Sequence, residues 1–331
     1  MEIMKKVFIT GANGFLGSHL IDRLLEKGDE VHALVRSTSN LRWLKGKKVQ
    51  FHYGDVTGDL KGLREGLHDV DIVYHVAGVI RARKKEVYYK VNVEGTENVL
   101  KSCLEICPTV SRVVIVTSIA AHGPNPGSHS MRENDACQPL TDYGKSKYEA
   151  ERVAFRYQEQ LPITFVRPPA IYGPRDEQIL DFFKMVQKGL MLLPGREEKI
   201  LNLCYVQDVV SGMILSAESP KGVGQVFFIA ADQNYPWKEI SQIVSQVMEK
   251  KPITLSIPSS IVWMVATVMD AWSVVSGKTY SINRDYVKNF LQPNWAVDIT
   301  KANKALGYQP AYSLEKGIRA TVEWYKKEGW L

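Results

Sequence analysis

Six short runs rich in β-branched residues punctuate the first half of the chain: KVFIT (6–10), EVHALV (30–35), KVQFHY (48–53), DIVYHV (71–76), RVVIVT (112–117) and ITFV (163–166). They are apolar at consecutive rather than alternate positions, the pattern of strands buried on both faces. Between them, at about 15–27, 87–106 and 143–160, apolar residues recur at three- and four-residue spacing and predict helices. Alternation of this kind builds an open parallel sheet covered above and below by right-handed crossovers. The expected fold class is α/β.

After Arg167 the pattern loosens, broken by Pro168, Pro169, Pro174, Pro194 and Gly195. Helical stretches are expected near 176–188, 237–249, 259–275 and 313–328. At 331 residues the chain exceeds the about 250–300 at which a single core stops growing, so a second, smaller lobe is expected. The stretch Val206–Ile229 reads as a helix and a strand that return to the main sheet.

Several classes of function are disfavoured. The four cysteines, Cys103, Cys107, Cys137 and Cys204, form no CxxC pair and read as reduced thiols of a cytoplasmic enzyme. The start MEIMKKVFIT lacks the apolar stretch and cleavage site of a secretory signal. The longest apolar run, Ile261–Met269, is shorter than the roughly 20 residues needed to span a bilayer. A formal charge of +6 is spread along the chain apart from Arg81–Lys85, which argues against nucleic acid. The seven histidines show no HxxxH or HxH spacing, so no metal is expected.

The first strand runs directly into Thr10-Gly11-Ala12-Asn13-Gly14-Phe15-Leu16-Gly17, which opens the first helix. This is the context of a dinucleotide-binding turn. Gly11 permits the tight turn, Gly14 lets the backbone approach a pyrophosphate, and Gly17 allows helix and strand to pack closely. The helix N-terminus supplies free N–H groups and the positive end of its dipole.

The spacing is GxxGxxG rather than GxGxxG. With GDVT (54–57), HVAG (75–78), NVEGTENVL (92–100), VTSIAAHG (116–123), Tyr143-Gly-Lys-Ser-Lys147 and RPPAIYGPRD (167–176), it resembles the extended short-chain dehydrogenase/reductase family over nearly the whole chain. The resemblance implies a Rossmann-type doubly wound parallel sheet with a smaller, mixed C-terminal substrate lobe. Residues 1–167, rejoined by 206–230, would bind the nucleotide, and 168–331 the substrate. Cofactor contacts are implied for Asn13, Phe15 and Leu16, for Asp55 and Val56 at the adenine, and for Ala77 and Gly78 near ribose and phosphates. Asn92 would support the central helix, and Pro168, Ala170 and Ile171 would follow the sixth strand along the cofactor. Taken alone, Asp55 equally suits a turn residue capping the next segment.

The second strand ends in Arg36-Ser37-Thr38-Ser39, with no acid to accept from a ribose 2′-OH. A guanidinium with neighbouring hydroxyls suits a 2′-phosphate, so NADP(H) is favoured over NAD(H). The alternative is an exposed surface arginine.

Tyr143 and Lys147, four apart at the start of a helix, project from one face. A free phenol titrates near 10, and a nearby ammonium would lower that value. Ser118 follows the fifth strand at the carboxyl edge of the sheet, where such folds bind ligands. By the resemblance, Ser118, Tyr143 and Lys147 are the catalytic set, the last two also touching the cofactor. The serine would hold a substrate oxygen and the tyrosine would move its proton. His75, inside an apolar strand, reads as a packed, hydrogen-bonded histidine.

Members of this family act either on nucleotide-sugars or on ketones and alcohols of apolar molecules. Ala170 stands where sugar-acting members carry Asn, and Leu203–Asp208 lacks their Arg, which points to the second group. The stretch SIVWMVATVMDAW (260–272) resembles the bulky helix of the hydroxysteroid dehydrogenase-like branch, or is a plain core helix. Arg81, His122 and Tyr172 are candidate substrate contacts, although Arg81–Lys85 also fits a solvated surface. The expected activity is NADPH-dependent ketone reduction or the reverse oxidation. A nucleotide-sugar epimerase or dehydratase with tightly held NAD is the alternative, and a non-enzymatic NADP sensor a third, disfavoured by the Tyr–Lys pair. A homodimer is implied through helices 87–106 and 143–160.

Overall fold

The structure is a computed structural model that describes residues 4–127, 129–195, 197–276 and 283–331. The first three residues of the amino-terminal stretch discussed above lie outside the described residues.

Strands β1 (Lys6–Thr10), β2 (Glu30–Val35), β3 (Val49–Tyr53), β4 (Ile72–His75), β5 (Arg112–Val116), β6 (Ile163–Arg167) and β7 (Val226–Phe228) form one sheet in the order β7-β6-β5-β4-β1-β2-β3. Every neighbouring pair is parallel. This is the Rossmann-type α/β architecture. The strand order reverses between β1 and β4, which opens a crevice at the carboxyl ends of those strands.

All residues of β4, β5 and β6 are buried because a helical layer lies on each face. On one face, Leu20 and Ile21 of α1 (Phe15–Glu26) pack with Val209, Val210 and Met213 of a helix that precedes β7, Val206–Glu218. On the other, Val99, Leu100 and Cys103 of α2 (Gly95–Ile106) and Ala154 of α3 (Asp142–Phe155) meet Phe8, Val113 and Phe165. The expected helix 87–106 is present but not uniform. Lys85–Tyr88 leads into wider, π-type turns at Tyr89–Glu94 before regular α2 begins. Such an extra residue re-aims side chains, and here it carries Asn92.

A second core, in which Tyr172, Phe183, Tyr205, Ile240, Ile318 and Tyr325 meet, marks the second lobe, whereas Trp295, Val297, Ile299, Leu306 and Tyr308 return to the core of the main sheet, so the lobe is not the whole of 168–331. Its strands are short pairs: Ala170–Tyr172 with Leu203–Tyr205, Ile200–Leu201 with Tyr235–Pro236, and Leu190–Pro194 with Ile253–Ile257. Helix Ser259–Ser276 follows the last strand, and Arg284–Phe290 packs beside it. The helix expected from 176 begins only at Leu180, because Arg175 takes a positive φ of 70° and turns the chain. Among the described residues, no helix is long and apolar enough to cross a membrane.

Candidate active site

The turn after β1 is built for close approach. Gly11 has φ 70°, and a Cβ there would lie 2.6 Å from the Ala77 nitrogen. A Cβ at Gly17 would lie 2.2 Å from the Gly11 carbonyl oxygen, and one at Gly14 3.2 Å from the same atom. Helix α1 then starts with no side-chain cap and no acid in its first turn. Its amides and dipole remain available to an anion. The side chain of Leu16 is in the core and Phe15 packs edge-on against His19, so these two residues face the turn only through their backbone.

The neighbouring candidates converge from β4 and α3. The Ala77 N–H donates to Thr10 Oγ1 at 3.2 Å, and Gly78 lies so close to Lys147 that a Cβ would sit 2.8 Å from Nζ. Asn92 is buried and fully engaged. Its amide donates to the Val79 carbonyl and Ser146 Oγ, and its oxygen accepts from the Val79 N–H. It therefore ties the β4 loop to α3. Asp55 Oδ1 accepts from the Thr57 backbone and hydroxyl, which is the turn-capping alternative named above. Val56 is buried against Gly95. Pro168 is buried, Ile171 half-buried and Ala170 exposed.

Arg36 and Ser37 are exposed at the end of β2, in a turn closed by reciprocal bonds between Arg36 and Ser39. The Arg36 guanidinium makes no ion pair among the described residues. These features fit a dinucleotide: a glycine cradle that a Cβ would fill and an uncapped helix N-terminus, with an exposed arginine at the end of β2.

Ser118, Tyr143 and Lys147 meet at the carboxyl end of β5. Ser118 caps the short helix Ile119–His122, accepting from the Ala120 N–H at 3.1 Å, and its hydroxyl lies beside the Tyr143 phenol. Lys147 is 6% exposed, and its ammonium donates to the Val116 carbonyl at 3.1 Å. The expectation that Lys147 pulls the phenol down does not hold in this structure. Burial pushes Tyr143 up to about 12, opposed by the neighbouring Ser118 hydroxyl, while Tyr88 adds to the rise. Burial also lowers Lys147 to about 8, opposed by Glu151. Desolvation dominates both shifts, and neither group acts on the other: the Lys147 ammonium is directed at the Val116 carbonyl rather than at the phenol.

Two supports had no sequence signal strong enough to find them. Glu151, one further turn along α3, holds Arg167 in a buried two-pronged pair at 2.5 and 2.9 Å and accepts from Thr117. From the second lobe, Asp285 accepts from the backbone N–H groups of Asp142 and Tyr143 at 3.0 and 3.3 Å, so it caps α3 beside the phenol. The i+4 spacing of Glu151 from Lys147 was a partial clue. Asp285 left none. His75 is held between Thr10 and Thr96 hydroxyls, and burial lowers it to about 3.

Two of the expected substrate contacts are buried in this structure. Tyr172 is 3% exposed, and its phenol donates to the Leu314 carbonyl within the second core. His122 is equally buried and packs edge-on against Phe228. Tyr172 is thus held in packing, while neither ring nitrogen of His122 has a hydrogen-bond partner among the described residues. Arg81 is half-buried with its guanidinium 5.9 Å from the Tyr286 ring, whereas Arg83, Lys84 and Lys85 are exposed.

Residues 7–230 match the model of the NAD dependent epimerase/dehydratase family, and the chain belongs to that family. It is 28% identical to the ceramide reductase of Caulobacter vibrioides, over 98% of this chain and 96% of that protein. It is also 28% identical to the decarboxylating sterol-4-alpha-carboxylate 3-dehydrogenase of Schizosaccharomyces pombe, over 98% of each. The structure of Thermotoga maritima UDP-glucose 4-epimerase with UDP-glucose superposes with a TM-score of 0.80 at 23% identity, covering 98% of this chain and 99% of that one. The family thus spans dehydrogenases, reductases and epimerases that use NAD(P), and this chain shares its extended short-chain dehydrogenase/reductase fold.

Proposed function

We propose that this protein reduces a ketone on a largely apolar small molecule, or oxidises the corresponding secondary alcohol, with NADP(H). The observation that carries the reading is the convergence of Ser118, just past β5, with Tyr143 and the buried Lys147 one turn further along α3, whose ammonium reaches the β5 carbonyl of Val116. Similarity to a ceramide reductase and a sterol-carboxylate dehydrogenase supports an apolar substrate. So does Ala170 in the place of the sugar enzymes' Asn. In this reading residues 1–167 with 206–230 bind the nucleotide, and 168–331 bind the substrate.

The nucleotide, held along Gly11–Gly17 with Arg36 at its ribose phosphate, supplies the hydride when bound. Ser118 orients the substrate oxygen. Tyr143, whose phenol is protonated at neutral pH, donates the proton to that oxygen. Lys147, largely an ammonium at pH 7 and packed against Gly78, is the cation beside the bound nucleotide. Asp285 and Asn92 are positioning residues for α3. A two-fold dimer through 87–106 and 143–160 belongs to the same reading. Exposed Val87 and Tyr89 on the first of these helices support it, and a monomer in light scattering at micromolar concentration removes it.

The test is NADPH oxidation with a soluble short-chain ketone. Tyr143→Phe is expected to lose about 10²–10⁴-fold in kcat/KM with NADPH binding intact. Activity near wild type rejects the mechanism, and turnover of UDP-glucose with no net change in cofactor establishes the epimerase alternative.

A further inference from the structure

We infer that the face made by helix Ser259–Ser276 and strand Ile253–Ile257 is a docking surface for an anionic lipid bilayer, on which the helix lies flat. Its composition is unusual for water. Between Lys251 and Asp270 the chain carries no charged residue. Within that helix Ile261, Met264, Val265, Val268, Trp272 and Val275 are all exposed, at spacings that place them along one side. Met264 is 61% exposed, Trp272 55% and Val275 78%. The adjoining strand adds Ile253 at 69% and Leu255 at 49%. An ordinary surface helix turns its polar side outward. This one buries Ala266 and presents its larger apolar side chains to solvent.

The rim around this face decides what covers it. Exposed Lys184 and Lys188 lead into the paired strand Leu190–Pro194, Lys250 and Lys251 lead into Ile253–Ile257, and Lys288 stands on the helix packed beside it. Nearby exposed acids are fewer than the five lysines: Glu249, Asp181, Glu197 and Glu198, with Asp270 paired with Arg284. A second copy of this face would bring lysines against lysines across a two-fold axis. Anionic headgroups complement them, while the apolar stripe enters the acyl boundary and Trp272 sits at headgroup depth. The helix is not long or apolar enough to cross, so it lies in the interface. The docking does not depend on the reaction. Its consequence, entry of an apolar substrate from the bilayer, rests on the function proposed above.

Vesicle flotation tests the inference. The full chain is expected to float with phosphatidylcholine vesicles containing phosphatidylglycerol, and less with phosphatidylcholine alone or at high salt. Met264→Asp with Val268→Asp is expected to weaken partition roughly tenfold or more, while NADPH binding and thermal midpoint show the fold intact. Lys250→Glu with Lys251→Glu is expected to abolish the preference for anionic vesicles. Tyr143→Phe is expected to float as wild type does, which separates docking from catalysis. Wild-type protein that stays unbound, or flotation unchanged in the double aspartate variant, overturns the inference. A concentration-dependent dimer lost in that variant overturns it in favour of a second copy.

Discussion

Strands β5 and Ile253–Ile257 are both five residues long and mostly apolar, yet their fates are opposite. Every residue of RVVIV in β5 is buried between two strand neighbours and two helical layers. In ITLSI four of five positions are exposed, with a single partner strand. Hydrophobicity records only that a surface is to be covered. In β5 the chain itself provides the cover; in the second strand it does not, and the apolar stripe continues into the next helix.

The sharpest way to break this comparison is paired substitution. Ile115→Ala is expected to cost about 2–5 kcal/mol, since it opens a cavity at a site 1% exposed. Leu255→Ser should stay within about 0.5 kcal/mol. Chemical unfolding of both proteins reads the difference, and equal losses would show that the second strand is covered in solution.

Next in size is Asp176, in the loop that enters the second lobe. Burial raises its carboxyl from the usual 3.8 to about 6, and one oxygen has no hydrogen-bond partner among the described residues. The native state then holds a proton more tightly than the unfolded chain, so this residue's contribution to stability is complete below pH 3.8 and is lost as pH rises to about 6. Asp176→Asn is expected to be more stable than wild type above pH 6, by up to about 3 kcal/mol, and to match it below pH 4. Thermal midpoints across that range check it; a constant offset would show that titration is not the cause.

A smaller effect on stability is expected on the sheet side, where the proposed function gives exposed Arg36 a role toward the nucleotide. Arg36→Asp should leave the thermal midpoint almost unchanged while reversing a preference for NADPH over NADH of roughly ten- to a hundredfold. Titration with both reduced nucleotides at one salt concentration measures this. A wild type that binds them equally shows the guanidinium to be a surface group.

Local patterns were legible and long-range ones were not. The buried strands announce themselves by consecutive apolar residues. The glycine turn and the Tyr143–Lys147 pair are each contained within a few residues of the chain. By contrast, Asp285 reaches Tyr143 across more than a hundred residues, and nothing at either position reports the other. Tyr172 and His122 sit in motifs beside the cleft, but a motif does not say which way a ring turns. Their burial comes from partners, Leu314 and Phe228, supplied far downstream. The upward shift of Tyr143 was missed for a similar reason: the charge was readable from spacing, whereas the desolvation that outweighs it depends on the whole surrounding fold.

The position of β7 has a consequence for synthesis. Strand β6 ends at Arg167, but its outer neighbour is Val226–Phe228, made only after the first segment of the second lobe has emerged. At about 5–20 residues per second, the backbone edge of β6 waits on the order of seconds on the ribosome before it is paired. Phe227 and Phe228, both fully buried in the finished protein, are also missing during that interval. A chain that stalls or is cut before Val226 carries a nearly complete nucleotide sheet with one naked apolar edge, a template for pairing with a second unfinished copy.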